Sequence, residues 1–367
     1  MTTENCPIIG VDHLELYVGN AKQSAFFYSH CFGFNIVGYQ GLETGERKVT
    51  SYVLEQGDIR FVISSAVDAD HPIAKSVLKH GDTIAVMALE VPDAAHAYQQ
   101  AVDHGAIATI PPTEQTDEHG TLRFAAIHSF GDTSIKFVER QGYRDNFSPG
   151  FVVRTPKAPQ SVGLESGGLC RVDHIVGNVE RGMMDRWVEF LIQTMGFEVR
   201  MHFDDNDIST EYSALMSKVL QNGGKTIINI NEPADGLRKS QIAEYLDFHN
   251  GPGVQHIGLS TENIVATVVR LRAAGAEFLP IPKTYYDDLA DWVYELDLPV
   301  QQLAELGILV DRDDDGYLLQ LFTKPVGDRP TLFFEIIERH GSRGFGAGNF
   351  KSLFVALERE QELRGNL

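Results

Sequence analysis

The residues of this sequence best suited to chemistry are one glutamate and two histidines. Glu335 lies in Leu332-Phe333-Phe334-Glu335-Ile336-Ile337, a run that reads as a buried strand. An isolated carboxylate in an apolar interior costs several kcal/mol unless it is paired, hydrogen-bonded or bound to a metal. On this segment alone, an internal salt bridge to an arginine and a metal ligand both explain it. Strand alternation places Glu335 on one face with Phe333 and Ile337, and Phe334 on the other. His174, in Val172-Asp173-His174-Ile175, and His256, in Gln255-His256-Ile257, are imidazoles on two further strand-like runs. Either one alone reads most simply as a core histidine with a hydrogen-bond partner.

Stepping from those residues to the elements that carry them, the chain repeats itself. Val11-Asp12-His13-Leu14, followed by a helical stretch Ala21 to Cys31 and Phe32-Gly33-Phe34, returns as Val172-Asp173-His174-Ile175, a helical stretch Met183 to Met195 and Gly196-Phe197. Thr83 to Val91 with a helix from Ala94 to His104 returns as Gly253 to Thr261 with a helix from Ile264 to Ala274. Gly131 to Arg140 matches Pro330 to Arg339. A duplication of this length constrains the fold before any local pattern does. The strand-helix-strands order recurs twice within each half, which predicts an α+β chain of four βαβββ modules forming two open mixed β-barrels. The linker falls around Asp145 to Gly168, interrupted by Pro149, Pro156 and Pro159. The expected domains are therefore 1–155, non-catalytic, and 156–367, catalytic.

The duplication is most informative where it fails. His13 aligns with His174, but Val86 falls opposite His256 and Lys136 opposite Glu335. Only the second half holds all three ligand-type residues, each about one module length from the next, so they can converge inside one barrel. Two histidines and a carboxylate on one face leave three octahedral positions open, the arrangement of non-haem Fe(II) oxygenases. Amides gather around them: Gln255, Gln320, Gln241 and Asn231. Buried amides must be hydrogen-bonded, so several near one site suggest a polar ligand; taken singly, each is an ordinary strand-end or turn residue. Phe322, Phe345 and Phe350 are either ring-stacking walls or plain core.

Composition narrows the partners. A formal charge of -20 excludes nucleic-acid backbones and anionic membranes as natural partners, since both demand a basic face. Cys6, Cys31 and Cys170 are scattered and form no Cys-x-x-Cys pair, which argues against a disulfide framework and a thiolate zinc site. With neither a leader-like N-terminus nor an apolar run of membrane-spanning length, the chain reads as cytoplasmic. After Arg339 the glycine-rich run 341–348 reads as a hinge. Beyond it Phe350, Leu353, Phe354 and Leu357 at i, i+3, i+4 and i+7 predict an amphipathic helix from Asn349 to Arg364, either a lid or a permanently docked element.

Several motifs carry a resemblance: Asn231-Glu232-Pro233 with Lys239-Ser240-Gln241-Ile242, Gly253-Val254-Gln255-His256-Ile257, Gly316-Tyr317-Leu318-Leu319-Gln320, Phe322-Thr323-Lys324-Pro325, Asp328-Arg329-Pro330-Thr331 and Gly344-Phe345-Gly346-Ala347-Gly348-Asn349-Phe350. On these the chain resembles the 4-hydroxyphenylpyruvate dioxygenases of the vicinal oxygen chelate superfamily over most of its length. The resemblance implies one Fe(II) per chain on His174, His256 and Glu335. It also implies substrate contacts from Ser213, Asn229, Asn231, Gln241, Gln255, Gln320, Phe322, Phe345, Asn349 and Phe350. The implied reaction converts 4-hydroxyphenylpyruvate and O2 to homogentisate and CO2 in tyrosine catabolism. Asn229 departs from the family, which usually has proline there, whereas the related 4-hydroxymandelate synthases have threonine. The alternatives are thus a mandelate-forming synthase, a dioxygenase of another aryl pyruvate, or a metal-free binding protein of the same fold. A homo-oligomer, dimer or tetramer, is expected, with the first half serving subunit contacts.

Overall fold

The computed structural model describes residues 7–154, 168–204, 215–223, 226–234, 236–292, 296 and 298–366. Its first half runs β1 (Gly10–Tyr17), α1 (Ala21–Phe32), β2 (Asn35–Gln40), β3 (Val49–Gln56), β4 (Ile59–Ala66), α2 (Pro72–His80), β5 (Thr83–Glu90), α3 (Ala94–Asp103), β6 (Ala108–Asp117), β7 (Gly120–His128), β8 (Ser134–Glu139) and β9 (Val152–Val153). The second half runs β10 (Leu169–Asn178), α4 (Met184–Met195), β11 (Glu198–Phe203), β12 (Leu215–Asn222), β13 (Thr226–Pro233), α5 (Gln241–His249), β14 (Gly253–Thr261), α6 (Ile264–Ala273), α7 (Thr284–Trp292), α8 (Val300–Leu306), β15 (Leu309–Asp313), β16 (Gly316–Phe322), β17 (Phe333–His340) and α9 (Phe350–Leu363).

The helices start and stop where local chemistry requires. Asn20, Asp93, Ser240 and Asn263 each accept a backbone N–H of the first turn of α1, α3, α5 and α6. Gly33 ends α1 and Gly196 ends α4 in the left-handed region, where a side chain would be strained.

Each half forms one curled mixed sheet, ordered β6-β7-β8-β5-β1-β4-β3-β2-β9 and β11-β12-β13-β10-β14-β17-β16-β15. The first and last strands of every module pair in parallel: β1 with β4, β5 with β8, β10 with β13 and β14 with β17. Parallel neighbours need a crossover, which the module helix supplies. The two modules of a half join through an antiparallel seam, β1 with β5 and β10 with β14. This is the duplicated, open mixed-barrel architecture that the sequence predicts.

The main core cluster runs through both halves. Phe334, on the face of β17 opposite Glu335, stacks on Phe61 (ring centroids 5.9 Å apart) and meets Phe32 edge-on at 5.2 Å. The apolar backing of the glutamate strand is therefore provided by the first half. At another contact between halves, His80 and His249 stack at 4.4 Å, His249 Nε2 meets Thr83 Oγ1 at 2.9 Å, and Arg329 donates to the Lys79 and Phe248 carbonyls.

Three local expectations are revised. The expected linker contains a short strand, β9, which pairs with Gly38 and Tyr39 of β2. β17 begins at Phe333, one residue after the expected Leu332, and Thr331 just before it turns back on the Arg329 carbonyl. The run 341–348 contains a turn of 3-10 helix at Ala347–Asn349 and is tightly strapped. Asp313 Oδ2 accepts from Ser342 Oγ and from the amides of Arg343 and Gly344, while Asp311 Oδ1 accepts from the Gly348 amide.

Candidate active site

The three ligand-type residues stand on three adjacent strands of the second sheet. Register brings them to one face: His174 of β10 lies opposite Gly258 of β14, and Gly258 lies opposite Glu335 of β17. His256, two residues before Gly258, shares that face. Gly258 is needed there, since a Cβ would fall 2.3 Å from the His174 ring. His174 Nε2 lies 3.0 Å and His256 Nε2 3.6 Å from Glu335 Oε2, and the three ligand atoms all lie within 4.8 Å of one another. Exposure of the three is 2%, 9% and 4% for His174, His256 and Glu335. Among the described residues, the ionisable groups that meet the Glu335 carboxylate are thus imidazoles rather than an arginine.

The outer nitrogens are engaged, which turns the inner ones toward the site. His174 Nδ1 lies 2.9 Å from Asp173 Oδ2, and His256 Nδ1 lies 3.0 Å from Gln255 Oε1. Both partners are acceptors, so each Nδ1 carries a hydrogen, and each Nε2 is the atom that can ligate once unprotonated. Asp173 is in turn held by the guanidinium fork of Arg339, at 2.9 and 2.7 Å. Phe333 stacks on His256 at 4.7 Å and Phe345 meets His174 edge-on at 5.4 Å.

The carboxylate and the two imidazoles shift one another's titration. Burial alone would raise the Glu335 pKa, but the charge and hydrogen bonds of His174, with those of His256, bring it down to about 2. Burial would lower that of His174, yet Glu335 and Asp173 together push it up to about 9. His256 is lowered, chiefly by burial. The carboxylate charge that favours a proton on His174 would equally favour a cation bound by these three atoms.

These residues floor a cavity that is also lined by Val176, Phe203, Leu215, Ser217, Asn229, Asn231, Gln241, Gln255, Phe322, Phe333, Phe345, Leu353 and Phe354. Of the residues singled out in the sequence, six besides the ligand set line it: Asn229, Asn231, Gln241, Gln255, Phe322 and Phe345. Gln320 does not. It is buried on the same face of β16 but lies under Gly346, where a Cβ would fall 2.0 Å from its Nε2. Asn349 is fully buried away from the cavity lining, its Oδ1 accepting from the Tyr285 hydroxyl at 2.7 Å. Ser213 lies outside the described residues, and so does the side chain of Phe350, whose backbone opens α9. Ser217, Leu353 and Phe354 were not anticipated as lining, nor Tyr285 as the partner of Asn349. The Asp173–Arg339 pair was legible in principle, because Asp12 and Arg140 occupy the matching places of the first half.

The chain matches the model of the Glyoxalase/Bleomycin resistance protein/Dioxygenase superfamily over residues 10–134 and 171–321. It is 45% identical to the 4-hydroxyphenylpyruvate dioxygenase of Yarrowia lipolytica across 98% of this chain and 93% of the relative. It is 44% identical to that of Dictyostelium discoideum across 98% of this chain and 100% of the relative. The chain belongs to the 4-hydroxyphenylpyruvate dioxygenase family. Among solved structures, a triple mutant of 4-hydroxymandelate synthase from Streptomyces coelicolor superposes with TM-score 0.85 at 31% identity, covering 97% of this chain and 99% of that one. A Mn(II)-bound glyoxalase from Novosphingobium aromaticivorans, 11% identical with TM-score 0.52 over 90% of this chain and 82% of that one, shares the fold alone.

As a dioxygenase of this superfamily the chain is an enzyme for which a metal is implied, and the donor set fits one. Two imidazole nitrogens and one carboxylate oxygen converge, the outer imidazole nitrogens are hydrogen-bonded, and the group faces the cavity.

Proposed function

We propose that this family member is an Fe(II)-dependent dioxygenase that converts 4-hydroxyphenylpyruvate and O2 to homogentisate and CO2, in tyrosine catabolism. The observation that carries the reading is the convergence of His174, His256 and Glu335 at the floor of an amide-lined cavity, in a chain related over its full length to dioxygenases of that name. Bound there, Fe(II) supplies open coordination positions at which an α-keto acid and O2 meet.

The chain's own residues do the rest. The Phe322, Phe333, Phe345, Leu353 and Phe354 side chains wall the cavity and exclude water. Asn229, Asn231, Ser217, Gln241 and Gln255 offer polar contacts that orient the substrate. The Asn229 Oδ1 is buried without a hydrogen-bond partner, an acceptor suited to the phenolic hydroxyl. Gln320 and Asn349 act from behind this lining. Ser213 and Phe350 complete the substrate contacts on the strength of the family motif alone.

Residues 1–155 form the non-catalytic domain and contribute to a dimer or tetramer in the cytoplasm, while 156–367 form the catalytic domain with α9 as its cover. No helix among the described residues is long and apolar enough to cross a membrane.

One assay tests metal, substrate and product together: purified protein, Fe(II), O2 and 4-hydroxyphenylpyruvate, with the product resolved by chromatography. Homogentisate is expected. The likeness to a 4-hydroxymandelate synthase supports a second reading, while Asn229 fits neither family's usual residue; 4-hydroxymandelate as the main product would establish that reading. A protein that fails to bind Fe(II) even anaerobically would instead be a metal-free binding protein.

A further inference from the structure

Arg339 lies at the end of β17, four residues beyond Glu335, and its guanidinium joins two parts of the molecule. On one side Nε and Nη2 grip both oxygens of Asp173, which holds the outer nitrogen of His174. On the other, Nη1 donates to the carbonyls of Gly344 at 2.7 Å and Ser342 at 3.3 Å. These carbonyls belong to the strap that delivers Phe345 to the His174 ring and leads into α9. The guanidinium also lies over the Phe345 ring, 5.4 Å from its centroid.

We propose that Arg339 is a positioning residue that couples the strap before α9 to the metal ligand His174, so that metal affinity and strap order depend on each other. The inference rests on the ligand set proposed above. A planar fork is suited to this work, because it fixes the carboxylate in two directions and still has donors for the strap. Asp173 thereby holds one orientation of the imidazole, and the strap cannot lift without releasing a donor of the same guanidinium.

The first half isolates what is specific. Arg140 there grips Asp12, which hydrogen-bonds His13, and Arg140 Nη1 bonds the Phe147 carbonyl. Phe147 meets His13 edge-on at 5.0 Å, as Phe345 meets His174. This repeated unit has neither of the other two ligands beside it, so its bare presence supports the loop rather than a metal. A second cation, Arg60, also faces Asp12 at 3.6 Å, whereas the matching register of the second sheet carries Ile227. Loss of Arg140 leaves Asp12 with a cation; loss of Arg339 removes both the fork on Asp173 and the tie to the strap.

Arg339→Gln, Arg339→Lys and Arg140→Gln are to be compared with the unaltered chain in anaerobic Fe(II) titrations and in hydrogen exchange of the amides of residues 342–349. Arg339→Gln is expected to weaken Fe(II) binding about ten- to hundredfold. Fe(II) should slow strap exchange in the unaltered chain but not in this variant, because coupling is reciprocal. Arg339→Lys should recover only part of the affinity, and Arg140→Gln should leave it within about twofold. A folded Arg339→Gln protein with unaltered Fe(II) affinity, or an equal loss in Arg140→Gln, overturns the proposal. If Arg339→Gln does not fold, Asp173→Asn is measured in the same way, and unaltered affinity and strap protection there overturn it equally. Failure of the unaltered chain to bind Fe(II) overturns the metal site itself, and this inference with it.

Discussion

The concave faces of the two sheets can be compared position by position, because the seams share a register. His13 lies opposite Ala88 as His174 lies opposite Gly258, and Ala88 lies opposite Lys136 as Gly258 lies opposite Glu335. Val86 then stands where His256 stands, Phe124 where Gln320 stands, and Val62 where Asn229 stands. In the first half the Lys136 ammonium sits 4.4 Å over the Phe124 ring, with its pKa lowered chiefly by burial. The same frame thus accepts a cation or a carboxylate on its fourth strand. Folding does not select Glu335; the two histidines beside it do. What the halves share, the Arg-Asp-His unit and the following phenylalanine, is scaffold, and what they do not share is the donor set and the amides.

The largest effect should come from writing first-half chemistry into the second. Glu335→Gln, or His256→Val with the residue type found at position 86, should reduce turnover by about a thousandfold or more, roughly 4 kcal/mol in activation free energy. Thermal unfolding should shift little, because the first half folds around apolar or opposite-charge residues at these places. The matched control is His13→Ala, for which steady-state rates should stay near those of the unaltered chain. Normal turnover in Glu335→Gln, or loss of turnover in a folded His13→Ala protein, would erase the distinction between the halves.

The duplication made much of this legible. The return of Val-Asp-His strands and Gly-Phe helix ends places one module of each half, the return of residues 83–104 as 253–274 places the other, and strand alternation gives the face that Glu335 shares with Phe333. Other features were hidden for physical reasons. α7 and α8 interrupt the fourth module between α6 and β15, a place where the other modules pass directly to a strand, so the repeat gave no guide to them. Tyr285 reaches Asn349 and the Val310 backbone through a hydroxyl, a contact that no periodicity encodes. Gln320 has the right face for the cavity but is covered by Gly346, and only the path of the strap decides that. The strap itself looked free because glycine is permissive; the anchors are Asp311, Asp313 and Arg339, whose role depends on partners far away in sequence or on a neighbouring strand.

A second prediction asks how firmly the unlike halves are joined. His249 is buried against His80, with Thr83 on its Nε2 and the Gly251 carbonyl on its Nδ1, while Asp132 and Arg329 complete the charged surroundings. Burial, reinforced by the charge of His80, pushes the His249 pKa down to about 4 from an ordinary 6.5. The folded pKa is therefore below the unfolded one, and the unfolded chain binds the extra proton between these values. Stability from this group is fully present above about pH 6.5 and is lost as pH falls through about 4, on the order of 3 kcal/mol in all. Urea midpoints between pH 7.5 and 4 should fall more steeply for the unaltered chain than for His249→Gln. Equal slopes would show that His249 does not report on the junction.

The smallest expected effect is the one that reaches specificity. Val62 in the first half shows that the frame accepts an apolar residue at the register of Asn229. Asn229 is only 8% exposed, and its carbonyl oxygen has no partner. Such an acceptor is a liability to the empty protein and an asset only once a donor arrives. Asn229→Val should therefore leave stability unchanged or slightly raised. The apparent KM for 4-hydroxyphenylpyruvate should rise about tenfold, the 1–1.5 kcal/mol of one lost hydrogen bond, with kcat changed less. Phenylpyruvate, which lacks the hydroxyl, provides the second arm of a cycle: its KM should hardly respond to the substitution. If both substrates lose equally, Asn229 shapes the cavity without reading the hydroxyl. If neither responds, the asparagine has no part in binding, and the difference between the halves at this register carries no chemistry.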